Sequence, residues 1–153
     1  MKIMFVCSYN TCRSAMAKGI MQKKLKEKNI DIEVYSCGIH ARTGEYASYN
    51  AIEAAKYYDV DITLHRSTNI RESNIKEMDL ILCATRSNKE NVILLYPDIK
   101  EKVFTMKEFA EIDNNGQDLD IKDPWGYDNN IYSNSIVEIE KVTQKIIEKI
   151  EKK

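Results

Sequence analysis

A cysteine and an arginine, Cys7 and Arg13, bracket the short run Ser8-Tyr9-Asn10-Thr11-Cys12 and are followed at once by Ser14. A loop of this length between a strand and a helix can curl so that its backbone N–H groups point inward. The new helix adds its positive end, and together they form a concave anion site of the nest type. A guanidinium at the end of the loop supplies a planar fork that grips two phosphate oxygens at once, which a lysine cannot do. The same positive field favours a thiolate over a thiol, and the thiolate is the nucleophilic form of cysteine. Ser14 is placed to donate a hydrogen bond to that sulfur. An isolated cysteine at a strand end is ordinarily just a small buried hydrophobe. Here the strand, the spacing, Arg13, Ser14 and the helix agree with one another.

Displacing a leaving group from phosphorus also calls for a proton donor, and a positioned carboxylic acid contributes ~10²–10⁴-fold in rate. The polar stretch late in the chain offers Asp118, Asp120, Asp123 and Asp128. Composition alone does not choose among them. Asp123 stands in Asp123-Pro124-Trp125-Gly126, where the proline stiffens the turn and Trp125 offers a flat wall to a substrate.

These residues need a scaffold. Ile3-Met4-Phe5-Val6 is a continuous apolar run, as expected of a strand buried on both faces. From Ser14 the pattern turns helical, with Ala17, Ile20, Met21 and Leu25 on one face. Ile32 to Tyr35 reads as a second strand, Ala47 to Tyr58 as a helix and Met78 to Cys83 as a third strand. A helix from about Ser87 to Leu95 is stopped by Pro97, and Val103-Phe104-Thr105 is a short fourth strand. Glu111 to Asn130 is polar and is expected to be loop. A last helix starts near Asn130, with Tyr132, Ile136, Ile139, Ile146 and Ile150 along its buried stripe. Strands alternating with helices imply an α/β fold: one four-stranded parallel sheet with helices on both faces and the phosphate-binding loop after the first strand. In such sheets ligands bind beyond the carboxyl ends of the strands, which is where Cys7 falls.

The 153 residues suit a single domain, 1–153, and no linker, repeat or low-complexity block divides them. A formal net charge of -1 gives no electrostatic reason to expect a nucleic acid or an anionic membrane as partner. Cys7, Cys12, Cys37 and Cys83 are too sparse for a disulfide scaffold and lack the paired spacing of a zinc site. Cys37 and Cys83 read as small core residues near strand ends. No signal peptide or long apolar stretch stands out, so a cytoplasmic protein with free thiols is expected. A monomer is expected as well.

The run FVCSYNTCRSAMA resembles the N-terminal signature of the low-molecular-weight protein tyrosine phosphatase family. The likeness extends through YSCG after the second strand, LHRS, DLILC and KDPWG, and so spans the chain. It implies a four-stranded parallel sheet, a phosphocysteine intermediate, and neither cofactor nor metal. By position it implies that Cys7 is the nucleophile, that Arg13 binds phosphate, and that Asn10 and Ser14 brace the loop. Ser8, Tyr9, Thr11 and Cys12 would then border the phosphate. The Asp-Pro-aromatic match selects Asp123 as the acid, with Trp125 beside the substrate. His65 would back the loop, although on sequence alone it is as readily an ordinary loop histidine. The resemblance also supports a Cys7–Cys12 disulfide under oxidation. Tyr9 stands where the family usually has glycine, and Ala15 where it usually has proline.

Phosphorylated proteins are the implied substrates. Thr11, the Asp-Pro-aromatic-Gly sequence and VFTMKEF resemble the bacterial arginine phosphatase branch, so phosphoarginine is slightly favoured over phosphotyrosine. An arsenate reductase would need further cysteines to relay a disulfide, and the chain has none after Cys83. A phosphocarrier would not need Arg13, and a mere phosphoprotein-binding module would not need Asp123. His40 and Arg42, in the loop after the second strand, are expected to border the site or simply to be solvated.

Overall fold

The computed structural model describes residues 1–112, 119–122 and 129–152, the first six of the last group as backbone only. Four strands, β1 (Lys2–Cys7), β2 (Glu33–Gly38), β3 (Leu80–Cys83) and β4 (Val103–Thr105), pair in parallel in the order β2-β1-β3-β4. The helices are α1 (Arg13–Glu27), α2 (Tyr49–Lys56), α3 (Arg86–Leu95), α4 (Met106–Phe109) and α5 (Asn129–Glu151).

Strand periodicity divides the core. Ile3, Phe5 and Cys7 of β1 join Leu80 and Leu82 in a cluster closed by α1, α2, α4 and α5. Met4 and Val6 point the other way, to Cys37, Ile81, Cys83 and Val92 of α3. Alternate side chains of a strand face opposite sides, so a sheet covered on both faces requires unbroken apolar strands. The strand order reverses across the β1/β3 boundary. That switch point opens a crevice at the carboxyl ends of the strands, beside Cys7.

Several boundaries differ from those expected. The YSCG run lies inside β2 rather than after it, because β1 pairs with it as far as Cys7 opposite Gly38. Residues α2 was expected to include at its start instead form its cap, with the Ser48 side chain accepting from Ala51 N–H. The helix α4 was not anticipated. Its signal is a capping box, in which Thr105 Oγ1 accepts from Glu108 N and Glu108 Oε1 accepts from Thr105 N. Val142 and Ile147 join Ile136, Ile139 and Ile146 on the buried stripe of α5. The Tyr132 side chain lies outside the described residues. Among the described residues no helix is long and apolar enough to cross a membrane.

Candidate active site

Cys7 ends β1 and α1 begins at Arg13, so the loop between them sits at the crevice. Five of its carbonyls are engaged by residues beyond the loop. Ile39 N donates to Cys7 O, His40 N to Ser8 O, Ser48 N to Thr11 O and Met16 N to Cys12 O. The Asn10 carbonyl lies 2.7 Å from His65 Nε2. Carbonyls engaged elsewhere leave the loop amides available to an anion, which is the requirement for an anion nest. The first turn of α1 carries no acidic side chain to oppose its positive end.

Asn10 is the pivot of this turn. Its φ of 58° is in the left-handed region, which asparagine tolerates better than most residues. The side chain is fully buried and bonded at both ends: Nδ2 donates to Ser14 Oγ at 2.7 Å, and Oδ1 accepts from Thr68 N at 2.9 Å. Its own N–H points at Cys7 Sγ, 3.3 Å away. Ser14 Oγ lies 2.9 Å from the same sulfur. With Asn10 Nδ2 donating to one lone pair of the Ser14 oxygen, the hydroxyl proton can turn to a deprotonated sulfur. Two polar groups aimed at one sulfur are placed to stabilise it as the leaving group when a bond from sulfur to phosphorus breaks.

Arg13 is 4% exposed, with Nη1 donating to Ile121 O at 3.1 Å and Nη2 lying 3.5 Å from Ser8 Oγ. Five N–H donors let a guanidinium serve a protein carbonyl and an anion together. Asn88, buried on α3, reaches the same Ser8 oxygen through Nδ2 at 3.4 Å. Burial holds the His65 imidazole below its usual range. The Asn10 carbonyl works in the opposite direction, and nearby Lys18 adds to the lowering.

The structure thus gathers Cys7, Ser8, Asn10, Thr11, Cys12, Arg13, Ser14 and His65 around one turn. Tyr9 is 50% exposed at its rim, with its ring tilted against His40 at 6.3 Å. Cys12 is buried, as is Cys7. Arg42 is exposed. Asp123 and Trp125 lie outside the described residues, as do Asp118 and Asp128. Sequence reasoning missed the roles of Ile121, Asn88 and Gly38. Ile121 acts through its carbonyl, which no residue type signals. Asn88 reaches the loop only through the fold. Gly38 would place a Cβ 2.8 Å from both Asn10 N and Tyr9 C, so its signal was the glycine of YSCG.

An anion nest at the switch point of a parallel sheet, with a polarised thiol at its base and an arginine at its end, defines a phosphate-handling α/β enzyme. The family model described as "Low molecular weight phosphotyrosine protein phosphatase" matches residues 2–153. The chain belongs to that family and is a protein phosphatase of its type. A protein-arginine-phosphatase of Geobacillus stearothermophilus is 32% identical, covering 98% of this chain and 96% of its own. The crystal structure of a low molecular weight protein tyrosine phosphatase from T. tengcongensis shares 39% identity at a TM-score of 0.89, covering 97% of this chain and 99% of its own. A structure of the YwlE arginine phosphatase, a cysteine-to-serine mutant with a phosphorylated active-site serine, superposes at a TM-score of 0.91 with 28% identity, covering 99% and 97%.

Proposed function

We propose that the chain hydrolyses phosphoarginine in proteins, in preference to phosphotyrosine, through a phosphoryl group held on Cys7. The observation that carries the chemistry is the pair of donors on Cys7 Sγ, Ser14 Oγ at 2.9 Å and Asn10 N at 3.3 Å. The Cys7 thiolate attacks phosphorus while the loop amides and Arg13 hold the phosphoryl oxygens. The bond from phosphorus to the guanidine nitrogen breaks, and Asp123 supplies the proton that the leaving nitrogen takes. Asp123, now a carboxylate, removes a proton from water. That water's oxygen attacks phosphorus and the S–P bond breaks, releasing inorganic phosphate and the thiolate. Trp125 walls the substrate side chain, and His65 steadies the loop from behind. The protein works in the cytoplasm as a monomer, without metal or cofactor.

Thr11 and the arginine phosphatase relative support phosphoarginine. The tyrosine phosphatase relative at 39% identity supports the second reading, phosphotyrosine. An arsenate reductase relay through Cys83 is disfavoured: that thiol is fully buried in β3, and burial pushes it well above the ordinary range. The deciding experiment compares kcat/KM on matched peptides carrying phosphoarginine or phosphotyrosine. A higher value on phosphoarginine is expected, and a higher value on phosphotyrosine overturns the substrate assignment.

A further inference from the structure

The segment just before Asp123 is fastened at successive residues. Asp120 Oδ1 accepts from Arg86 N, the first amide of α3, at 2.8 Å. Ile121 N donates to Ala84 O at 2.7 Å, and the Ile121 side chain is fully buried in the core. Ile121 O accepts from Arg13 Nη1 at 3.1 Å. Lys122 O accepts from Ser135 Oγ of α5 at 3.2 Å. The carbonyl that meets the phosphate-binding fork therefore belongs to a residue whose neighbour is clamped to a helix end. A carboxylate suits that place, since α3 has no acidic residue of its own in its first turn and its amide dipoles favour a negative charge there.

We propose that Asp120 is a positioning residue: by holding the start of α3 it fixes the Ile121 carbonyl, and through that carbonyl it sets the aim of the Arg13 guanidinium. The inference rests on the reading of Arg13 as the phosphate-binding arginine. It also gives Asp120 a task other than proton donation, since its Oδ1 accepts from a backbone amide. A guanidinium is planar and grips phosphate through two parallel bonds, so a small rotation of the fork weakens both at once. The anchorage therefore acts on phosphate affinity and on the transition state, beyond any effect on folding.

The link can be cut from either side. Asp120→Ala removes the acceptor. Arg86→Pro removes the donor N–H, and proline is well tolerated at the first position of a helix. Thr85, which would precede it, already has the extended backbone that proline demands, at φ -135° and ψ 163°. Asp120→Asn keeps an acceptor oxygen. The readouts are the inhibition constant of inorganic phosphate, kcat and KM on an activated aryl phosphate and on an alkyl phosphate, and the melting temperature. Asp120→Ala and Arg86→Pro are each expected to raise the phosphate inhibition constant about threefold to tenfold, the effect of one such bond. The double variant is expected to be no worse than either single one, and Asp120→Asn to stay within about twofold of the parent. A parent-like phosphate constant in Arg86→Pro overturns the proposal, even if Asp120→Ala fails to fold. An Asp120→Asn variant crippled on the alkyl phosphate alone makes Asp120 an acid and overturns it too. If the parent itself neither binds phosphate nor hydrolyses the aryl phosphate, the underlying reading of Arg13 fails instead.

Discussion

Thr11 faces the question of specificity most directly among single residues. It is half-buried and lies two positions before Arg13, with its carbonyl fixed by Ser48 N at 2.9 Å. A hydroxyl there can hydrogen-bond near a crowded P–N centre, whereas an isoleucine adds bulk and suits an apolar ring. Thr11→Ile is expected to lower kcat/KM on phosphoarginine peptides while sparing or raising it on phosphotyrosine. A single contact worth ~1.4 kcal/mol at the transition state moves the ratio about tenfold. Parallel losses on both substrates would show that Thr11 serves the loop and not the choice of substrate. Cys37 belongs at the opposite pole: burial pushes its thiol to about 12, so it stays protonated and serves as packing.

At the scale of elements, β2 and the turn around His65 shape the phosphate loop from outside. A Cβ on Gly38 would stand 2.8 Å from the backbone at Asn10 N and Tyr9 C, and backbone cannot swing aside as a side chain can. Gly38→Ala is expected to cost ~1–3 kcal/mol of stability by overpacking. It should cost roughly tenfold or more in kcat/KM on an aryl phosphate, because the nest is displaced. Thermal melts and steady-state rates measure the two effects, and parent-like rates would detach Gly38 from the loop. His65 gives a pH signature. Burial lowers its pKa from the ordinary 6.5, so the unfolded chain takes up the proton first as pH falls. The unfolded state then binds more protons, and stability declines as pH drops through about 6.5 and below. His65→Gln, which keeps a donor for the Asn10 carbonyl, is expected to lose less melting temperature than the parent between about pH 7.5 and 5.5. An equal loss in both would place the titration elsewhere. The strands and the main helices were legible because apolar runs and helical spacing are local patterns. The clasp of Asp120, Ile121 and Arg13 was not, because it joins residues from distant parts of the chain through a carbonyl and an amide that carry no sequence mark.

The whole molecule turns one topological fact into a site. With β1 in the interior of the order β2-β1-β3-β4, its carboxyl end opens at the switch point, and the next helix must start there. The loop from Cys7 to Arg13 was legible because strand, turn and helix are consecutive in the sequence. Its outer braces, Thr68, His65, Ser48 and Ile39, come from three later segments and emerge only on folding. Every step of the proposed hydrolysis passes through a phosphoryl group on Cys7. The most direct measurement mixes the protein with a phosphorylated peptide, quenches within one turnover under conditions that preserve a phosphothioester, and maps the added mass by peptide sequencing. One phosphoryl group is expected on the peptide containing Cys7, formed no more slowly than phosphate is released, with no turnover by Cys7→Ser. Steady release of phosphate with Cys7 never modified, or continued turnover by Cys7→Ser, would contradict that route.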